Sequence, residues 1–410
     1  MAKNNKSAPG WETSPGIALK VDADFDLASV DRAATPGWTG TKQEAEAFMA
    51  ERGALLSELQ ERFFANSKNS DNRKVLVIVQ GLDTAGKGGI ARHVLGMVDP
   101  QGVQLASFGV PSPVERAHHY LWRIKQKLPA PGRIGLFDRS HYEDVLVVRV
   151  DKLVEEDVWS KRYDEINRFE KRLVDDGFTI IKVALMVSHK VQGARLAERL
   201  ARPDKRWKFN PNDVDTRLRW DDYQAAYQTV FDKTSTSYAP WHIVPADNKW
   251  YARLAVTELI TQALIDLKQE WPKPRWQLEV QKRRLLETMS AEDVQEVNDV
   301  LEGKVEEAAE AHAEYIALVQ AADAAGDADS GDRIEGSAVP DAEAPAEPEA
   351  PSEPEKAEKA DKPAKKSDKK DKGGKKDKAE KAEKADKPAK EAKPKKDKKA
   401  DKPKKKSKKK

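Results

Sequence analysis

VLVIVQGLDTAGKGGI, residues 75–90, is the stretch from which the rest of the chain is read. Its β-branched opening, Val75 to Val79, has the make-up of a buried strand. A glycine-rich turn follows, and then a helix-forming segment. Gly81, Gly86 and Lys87 fit the spacing of a phosphate-binding loop, between strand and helix where such a loop belongs. With Gly88 and Gly89 they form a candidate phosphate cradle. Glycines let the backbone curl so that its N–H groups point inward, and Lys87 adds positive charge at a helix N-terminus whose dipole already favours anions. Two positions are unusual. Gly88 stands where a Ser or Thr hydroxyl normally holds magnesium. Asp83 puts a carboxylate in a loop built for anions, so a cation or a proton must manage its charge. Either it binds magnesium or takes a proton from an accepting phosphate, or it is a turn residue satisfying loop amides.

Outward from this loop, strands and helices alternate. Upstream, Phe48, Leu55, Leu56, Leu59 and Phe63 recur near helical spacing over Thr41 to Ala65, which predicts an amphipathic helix docked beside the first strand. Residues 1–40, with Trp11 and Trp38 as their large anchors, read as an arm packed loosely on the core. Downstream, the pattern predicts a helix over Gly88 to Val98, a strand over Val103 to Phe108 and a helix over Val114 to Leu128. A strand from Arg133 then ends in Asp138-Arg139-Ser140-His141-Tyr142. An apolar strand ending in Asp is the second half of a phosphate-transfer site, because its carboxylate orients a metal or its water near the loop. A helical stretch (Glu155 to Asp175), a buried strand (Thr179 to Val187) and a helix (His189 to Ala201) follow. Arg202 to Asp222, RPDKRWKFNPNDVDTRLRWDD, gathers Arg and Lys beside Trp207 and Trp220 and reads as a closing lid. Those two tryptophans are packed core or a platform for a base. A last strand (Trp241 to Ala246) and a long helix (Lys249 to Glu270) complete an α/β pattern that implies a parallel sheet with ligands at the strands' carboxyl ends. The Ser140-His141 pair is no catalytic dyad, since neighbours on a strand point apart.

Composition sets the boundaries. The chain has 410 residues, no Cys and 35% charged residues. That excludes disulfides, thiolate metal sites and Cys nucleophiles, and it fits a reducing compartment. The N-terminus lacks the apolar core of a signal peptide, and no apolar run is long enough to span a bilayer, so the expectation is a soluble cytoplasmic protein with no membrane partner. The net charge of +3 hides segregation: residues 351–410 carry +14, residues 321–350 carry −8, and residues 1–320 carry −3. Four regions follow: an arm (1–40), a catalytic domain (41–288), a surface helix (289–322) and a tail (323–410), first acidic and then rich in Lys, Ala and Pro. KAEKADKPAK occurs twice in that tail, and after Val339 almost nothing apolar is larger than Ala, so the expectation there is disorder.

With these residues in view, the chain resembles the polyphosphate kinase 2 family over roughly residues 41–274. The resemblance rests on QGLDTAGKGG, LFDRSHYEDVLVVRV, RPDKRWKF, WDDYQAAY and APWHIVPADNKWYARL. The second motif looks most like the short, single-domain members that phosphorylate both nucleoside mono- and diphosphates. The resemblance implies a P-loop kinase-like three-layer α/β/α fold with a helical lid, Mg²⁺, and phosphoryl transfer between inorganic polyphosphate and a nucleoside mono- or diphosphate. It also implies a homo-oligomer. Carried over, Asp83 matches the loop acid that engages acceptor phosphate and metal, Lys87 the loop lysine, and Asp138 and Arg139 the second-motif acid and arginine. Asp83 and Asp138 are thus the candidate metal ligands. Arg199, Lys205, Arg206 and Lys208 match lid cations, and Arg123 lies in a matching LWR triplet. His119 stands where the family commonly has an acid, and Val191 where most relatives have another. A polymer of phosphates needs repeated cations with no base-reading, which Arg123, Arg139, Arg195, Arg199, Arg202 and the lid cluster supply. Two rivals remain: a P-loop nucleotide kinase that uses ATP, and a polyanion- or nucleic-acid-binding protein acting through its Lys-rich tail by counterion release.

Overall fold

The apolar runs of the sequence pair edge to edge. In the computed structural model, which describes residues 10–329, β1 (Lys74–Gln80), β2 (Val103–Ser107), β3 (Ile134–Asp138), β4 (Phe178–Met186) and β5 (Trp241–Pro245) form one parallel sheet in the order β2-β3-β1-β4-β5. The principal helices are α1 (Lys42–Ser67), α2 (Lys87–His93), α3 (Arg162–Asp175), α4 (His189–Ala201), α5 (Asn212–Leu218), α6 (Trp220–Thr234), α7 (Lys249–Asp266), α8 (Leu278–Leu286) and α9 (Ala291–Asp329).

Every residue of β1 is buried, and alternation decides against what. Val75, Val77 and Val79 face a layer built from α1, α2 and α7, with Leu56, Phe63, Ile90, Leu254 and Ile260. Leu76 and Ile78 face the opposite layer, with Ile166 and Phe169 of α3 and Tyr227 and Phe231 of α6. This is the expected three-layer α/β/α arrangement. Val79 lies opposite Asp138 on β3 and Val183 on β4. The loops that follow β1 and β3 therefore leave the sheet side by side, at the carboxyl end where the chain has worked β2 and β3 on one flank of β1 before crossing to β4 and β5. A Thr41–Glu44 capping box starts α1, and the buried pair Arg52–Glu258, with contacts of 2.7 and 2.8 Å, ties α1 to α7.

The arm departs from its expectation. Trp11 and Trp38 are 3% and 4% exposed, and Leu19, Val21 and Leu27 are also buried. Val21 N–H donates to Trp241 O (2.9 Å), and Ile243 N–H donates to Leu19 O (2.8 Å), so the arm lies antiparallel along β5. The physical reason is the sheet edge: unpaired ladder groups of β5 need covering, and the arm supplies both backbone and apolar side chains.

Helix lengths differ too. The helix after the glycine loop ends at His93 and tightens into a turn over Leu95–Met97 instead of running to Val98. The stretch 114–128 is two short helices, Pro113–Arg116 under a Ser112–Glu115 capping box and Leu121–Lys125, broken at His118 and His119. Likewise 155–175 divides into Glu156–Trp159 and α3. The helix α6 was not anticipated beyond the lid segment. The last helix runs on to Asp329, and Tyr315 in it is 1% exposed under the Arg62 guanidinium, which stands 4.0 Å from the ring centre. None of the helices among the described residues is long and apolar enough to cross a membrane. Residues 330–410, where most of the expected tail falls, lie outside the described residues.

Candidate active site

The loop after β1 is held open by its glycines. Gly81 adopts φ +151°, and a Cβ there would meet Leu185 O at 2.7 Å; Gly86 adopts φ +121°. Added methyls at Gly86, Gly88 or Gly89 would meet nothing within 4 Å, because these residues face a cleft. That cleft has a volume of about 590 Å³ and is lined by Asp83, Lys87, Asp138 and Arg139 together with Gly86, Gly88 and Gly89. The residues singled out in two separate motifs therefore meet around one space. Gly81 stands behind it and serves the turn.

Lys87 is buried, and its Nζ donates to Gly81 O (2.6 Å) and Leu82 O (3.3 Å), so it lies across the loop. Arg139, at φ +65°, donates to Asp83 Oδ1 at 2.8 Å. Burial by itself would raise the pKa of Asp83, but the charges of Lys87 and Arg139 hold it below the usual carboxylate value. Three carboxylates, Glu143, Asp83 and Asp138, raise that of Arg139 against its own burial.

Two acids that the sequence reading did not single out stand beside these groups. Asp213 of α5, 5% exposed, lies beside Asp83 and accepts from Arg199 Nη1 (3.1 Å). Burial first, and the Asp83 charge second, push Asp213 up to about 6. Such carboxylates share a proton or a cation. Glu143 is pushed up by burial, against the pull of Arg139 and Lys87. The only sequence signal for Asp213 was its place in the basic lid segment; Glu143 was visible within its motif with nothing to mark it.

The cationic rim divides. Arg199, Lys205 and Lys208 line the cleft. Arg206 does not, and its Nε donates to Leu200 O (3.0 Å). Arg123 is also not brought in: it is buried, donates to Gly109 O (2.8 Å) and lies against the Phe108 ring. Arg195 touches the cleft, but its guanidinium is taken up by the carbonyls of Thr84, Ala85, Ala246 and Asp247, which staples the loop to the end of β5. Arg202 is outside the lining and pairs with Asp204 and with Glu198, itself a lining residue. In their place stand Arg92, Lys249 and Arg253, which line the cleft and, among the described residues, have no hydrogen bond or ion pair. Burial, then the neighbouring Arg195 and, less, Arg253, lower the pKa of Lys249; burial and Arg92 lower that of Arg253. Glu198 lines the cleft beside them and acts against these shifts on Lys249, as Glu46 does on Arg253, but the lining cations outnumber the acids, and such a surplus forms a seat for a polyanion.

Several tempting groups lie elsewhere. His119 faces Glu165 at 3.6 Å, away from the lining. His141 is fully buried on Glu170, as the rejected dyad required. Trp220 packs edge-on against His189, whereas Trp207 is 78% exposed.

A family model described as Polyphosphate kinase 2 (PPK2) matches residues 41–272. An AMP/ADP-polyphosphate phosphotransferase of Meiothermus ruber is 44% identical over 256 residues, 62% of this chain and 94% of its own length. An ADP-polyphosphate phosphotransferase of Rhodopseudomonas palustris is 42% identical over 230 residues, 53% of this chain and 78% of its own. Among solved structures, polyphosphate kinase 2 from Arthrobacter aurescens TC1 superposes with a TM-score of 0.67 at 46% identity, covering 68% of this chain and 99% of that one.

Proposed function

The chain belongs to the polyphosphate kinase 2 family, and from that premise we propose that its cleft moves a phosphoryl group between inorganic polyphosphate and a nucleoside mono- or diphosphate, making ADP from AMP and ATP from ADP. The observation that carries this reading is the charge in the cleft: a loop carboxylate gripped by Arg139, and lining cations whose side chains make no ion pair among the described residues. Phosphoryl transfer asks for position and charge neutralisation more than for covalent chemistry.

The residues have separable tasks. Loop amides of Gly86 and Gly88, with Lys87 released from its two carbonyl acceptors, hold the phosphates where transfer occurs, while the Gly89 N–H donates to Gly86 O (2.7 Å). Arg139 steers Asp83 and neutralises charge on the transferred group. Arg92, Lys249 and Arg253, with Arg199, Lys205 and Lys208, hold the polymer, and the segment from Arg202 to Asp222 closes over it. Asp83 and Asp213 suit Mg²⁺: they are neighbouring carboxylates, Asp213 pushed up by burial first and by the Asp83 charge second, and together they would hold a divalent cation. Asp138 lines the same cleft with its carboxylate unpaired among the described residues. No group of three or more side-chain ligands gathers among those residues, which leaves coordination positions for phosphate oxygens and water, the usual habit of magnesium. When bound, the ion would neutralise charge developing on the phosphoryl oxygens. Nucleotide acceptors and the absence of cysteine fit a reaction in a reducing cytoplasm, and the Lys-rich tail would serve as an accessory tether for polyanions.

The test is purified full-length protein with Mg²⁺ and polyphosphate, supplied separately with AMP, ADP or GDP and no ATP. Formation of the next phosphorylated nucleotide is expected. A requirement for ATP as donor would instead make the chain an ATP-dependent nucleotide kinase on the same fold.

A further inference from the structure

One face of α9 carries large apolar side chains in two groups, Val297 to Val305 and Tyr315 to Val319, ten residues apart. Val297, Leu301, Val305, Tyr315 and Val319 follow one another at helical spacing. The second half of this stripe is covered, with Tyr315 buried and Val319 packed against the layer of α1 and α7. The first half is open: Leu301 is 46% and Val305 65% exposed. The preceding α8 is open as well, with Leu278, Leu285 and Leu286 exposed. A helix of 39 residues is about 58 Å long, and here only the part near Tyr315 has a core beneath it. Helices of this kind draw their stability from a covered apolar face, so the uncovered half calls for a partner.

The charges choose among the candidates. From Ala291 to Glu310 there are eight acids and one lysine, so two copies of this half-helix repel each other. The Lys-rich tail has the opposite sign but, after Val339, no apolar side chain larger than Ala to lay against Leu301. Helix α8 has both properties, since Lys282, Arg283 and Arg284 accompany Leu278, Leu285 and Leu286. Its own chain's α9 leaves those leucines exposed. We propose that α8 of one copy docks on the N-terminal half of α9 of a second copy, and reciprocally, in a two-fold exchanged pair. The surface lies beyond residue 272, where the family match ends, and it is independent of the catalytic reading.

The test is sedimentation velocity on the full chain. The wild type is expected to assemble, and Leu301→Glu with Val305→Glu to halve the mass of that assembly, with unchanged circular dichroism of the core and unchanged turnover per chain. Reversing α8 (Arg283→Glu, Arg284→Glu) in one protein and α9 (Glu296→Lys, Asp299→Lys, Glu302→Lys, Glu306→Lys) in another should each break the assembly. Mixing the two should restore it, because each α8 then meets an α9 of opposite charge. A monomeric wild type, or an assembly untouched by the Leu301/Val305 variant, overturns the proposal. So does a mixture that stays dissociated, which would leave α8 pairing within its own chain or not at all.

Discussion

Two clusters of charge hang from the loop that follows β3, and they are built on opposite terms. In the interior cluster, Glu170 accepts from Lys182 (2.7 Å), from Tyr142 (2.8 Å) and from His141 Nε2 (3.1 Å), while Lys182 also donates to Thr234 O (2.6 Å). Its charges are answered, and Glu170, Lys182 and His141 are wholly buried. In the cleft, which Arg139 reaches from the same loop, Asp83 of the β1 loop lies beside another carboxylate, while the side chains of Arg92, Lys249 and Arg253 make no ion pair among the described residues. Burial alone therefore does not mark a site. What marks it is charge that the protein leaves for something else to balance.

Breaking the interior cluster should have the largest effect on stability. Lys182→Met leaves Glu170 buried without its cation, and about 3–5 kcal/mol of stability should be lost in denaturant melts. Adding Glu170→Gln should recover much of that loss, because no lone charge then remains. If the double variant is as unstable as the sum of the singles, the cluster is held by packing and not by charge balance.

His242 sharpens the comparison from another direction. It is buried on β5, its Nδ1 3.3 Å from Lys182 O, and burial pushes it down to about 4 from 6.5. A group held neutral in the fold binds its proton in the unfolded chain first. The stability it contributes is therefore complete above pH 6.5 and lost progressively as pH falls towards 4, by on the order of 3 kcal/mol. Denaturant midpoints across that window should fall in the wild type, and His242→Asn should flatten the slope.

The smallest expected effect is the most selective. Lys249→Ala and Arg253→Ala should each raise KM for polyphosphate by about tenfold, close to 1.4 kcal/mol, and weaken its salt dependence. The KM for the nucleotide should stay near the wild-type value. An equal rise in both constants would remove the assignment of that end to the polymer.

How much of this was legible in the sequence follows the range of the interactions. β1, the glycine loop and Asp138 could be read because strand alternation, loop spacing and a strand-end carboxylate are local patterns. The arm could not: Leu19 and Val21 gain their meaning only from the free edge of β5, a partner over two hundred residues away. Asp213 was hidden for a similar reason, since its contact with Asp83 depends on how α4 and α5 fold back over the loop. Arg123 and Arg206 were misplaced because a charge pattern shows that a cation is present but not which carbonyl it satisfies. Arg92, Lys249 and Arg253 lay in helices to which the sequence reading gave no role in the site.

Asp83 carries the account most directly. With Mg²⁺, polyphosphate and ADP, ³¹P spectra of the wild-type protein should show ATP resonances growing as the polymer signal declines. Asp83→Asn, with an unchanged melting curve, should slow that growth by roughly 10²-fold or more. ATP formed at near-wild-type rate by the variant would return Asp83 to a turn residue, and no ATP from the wild type would contradict the transfer itself.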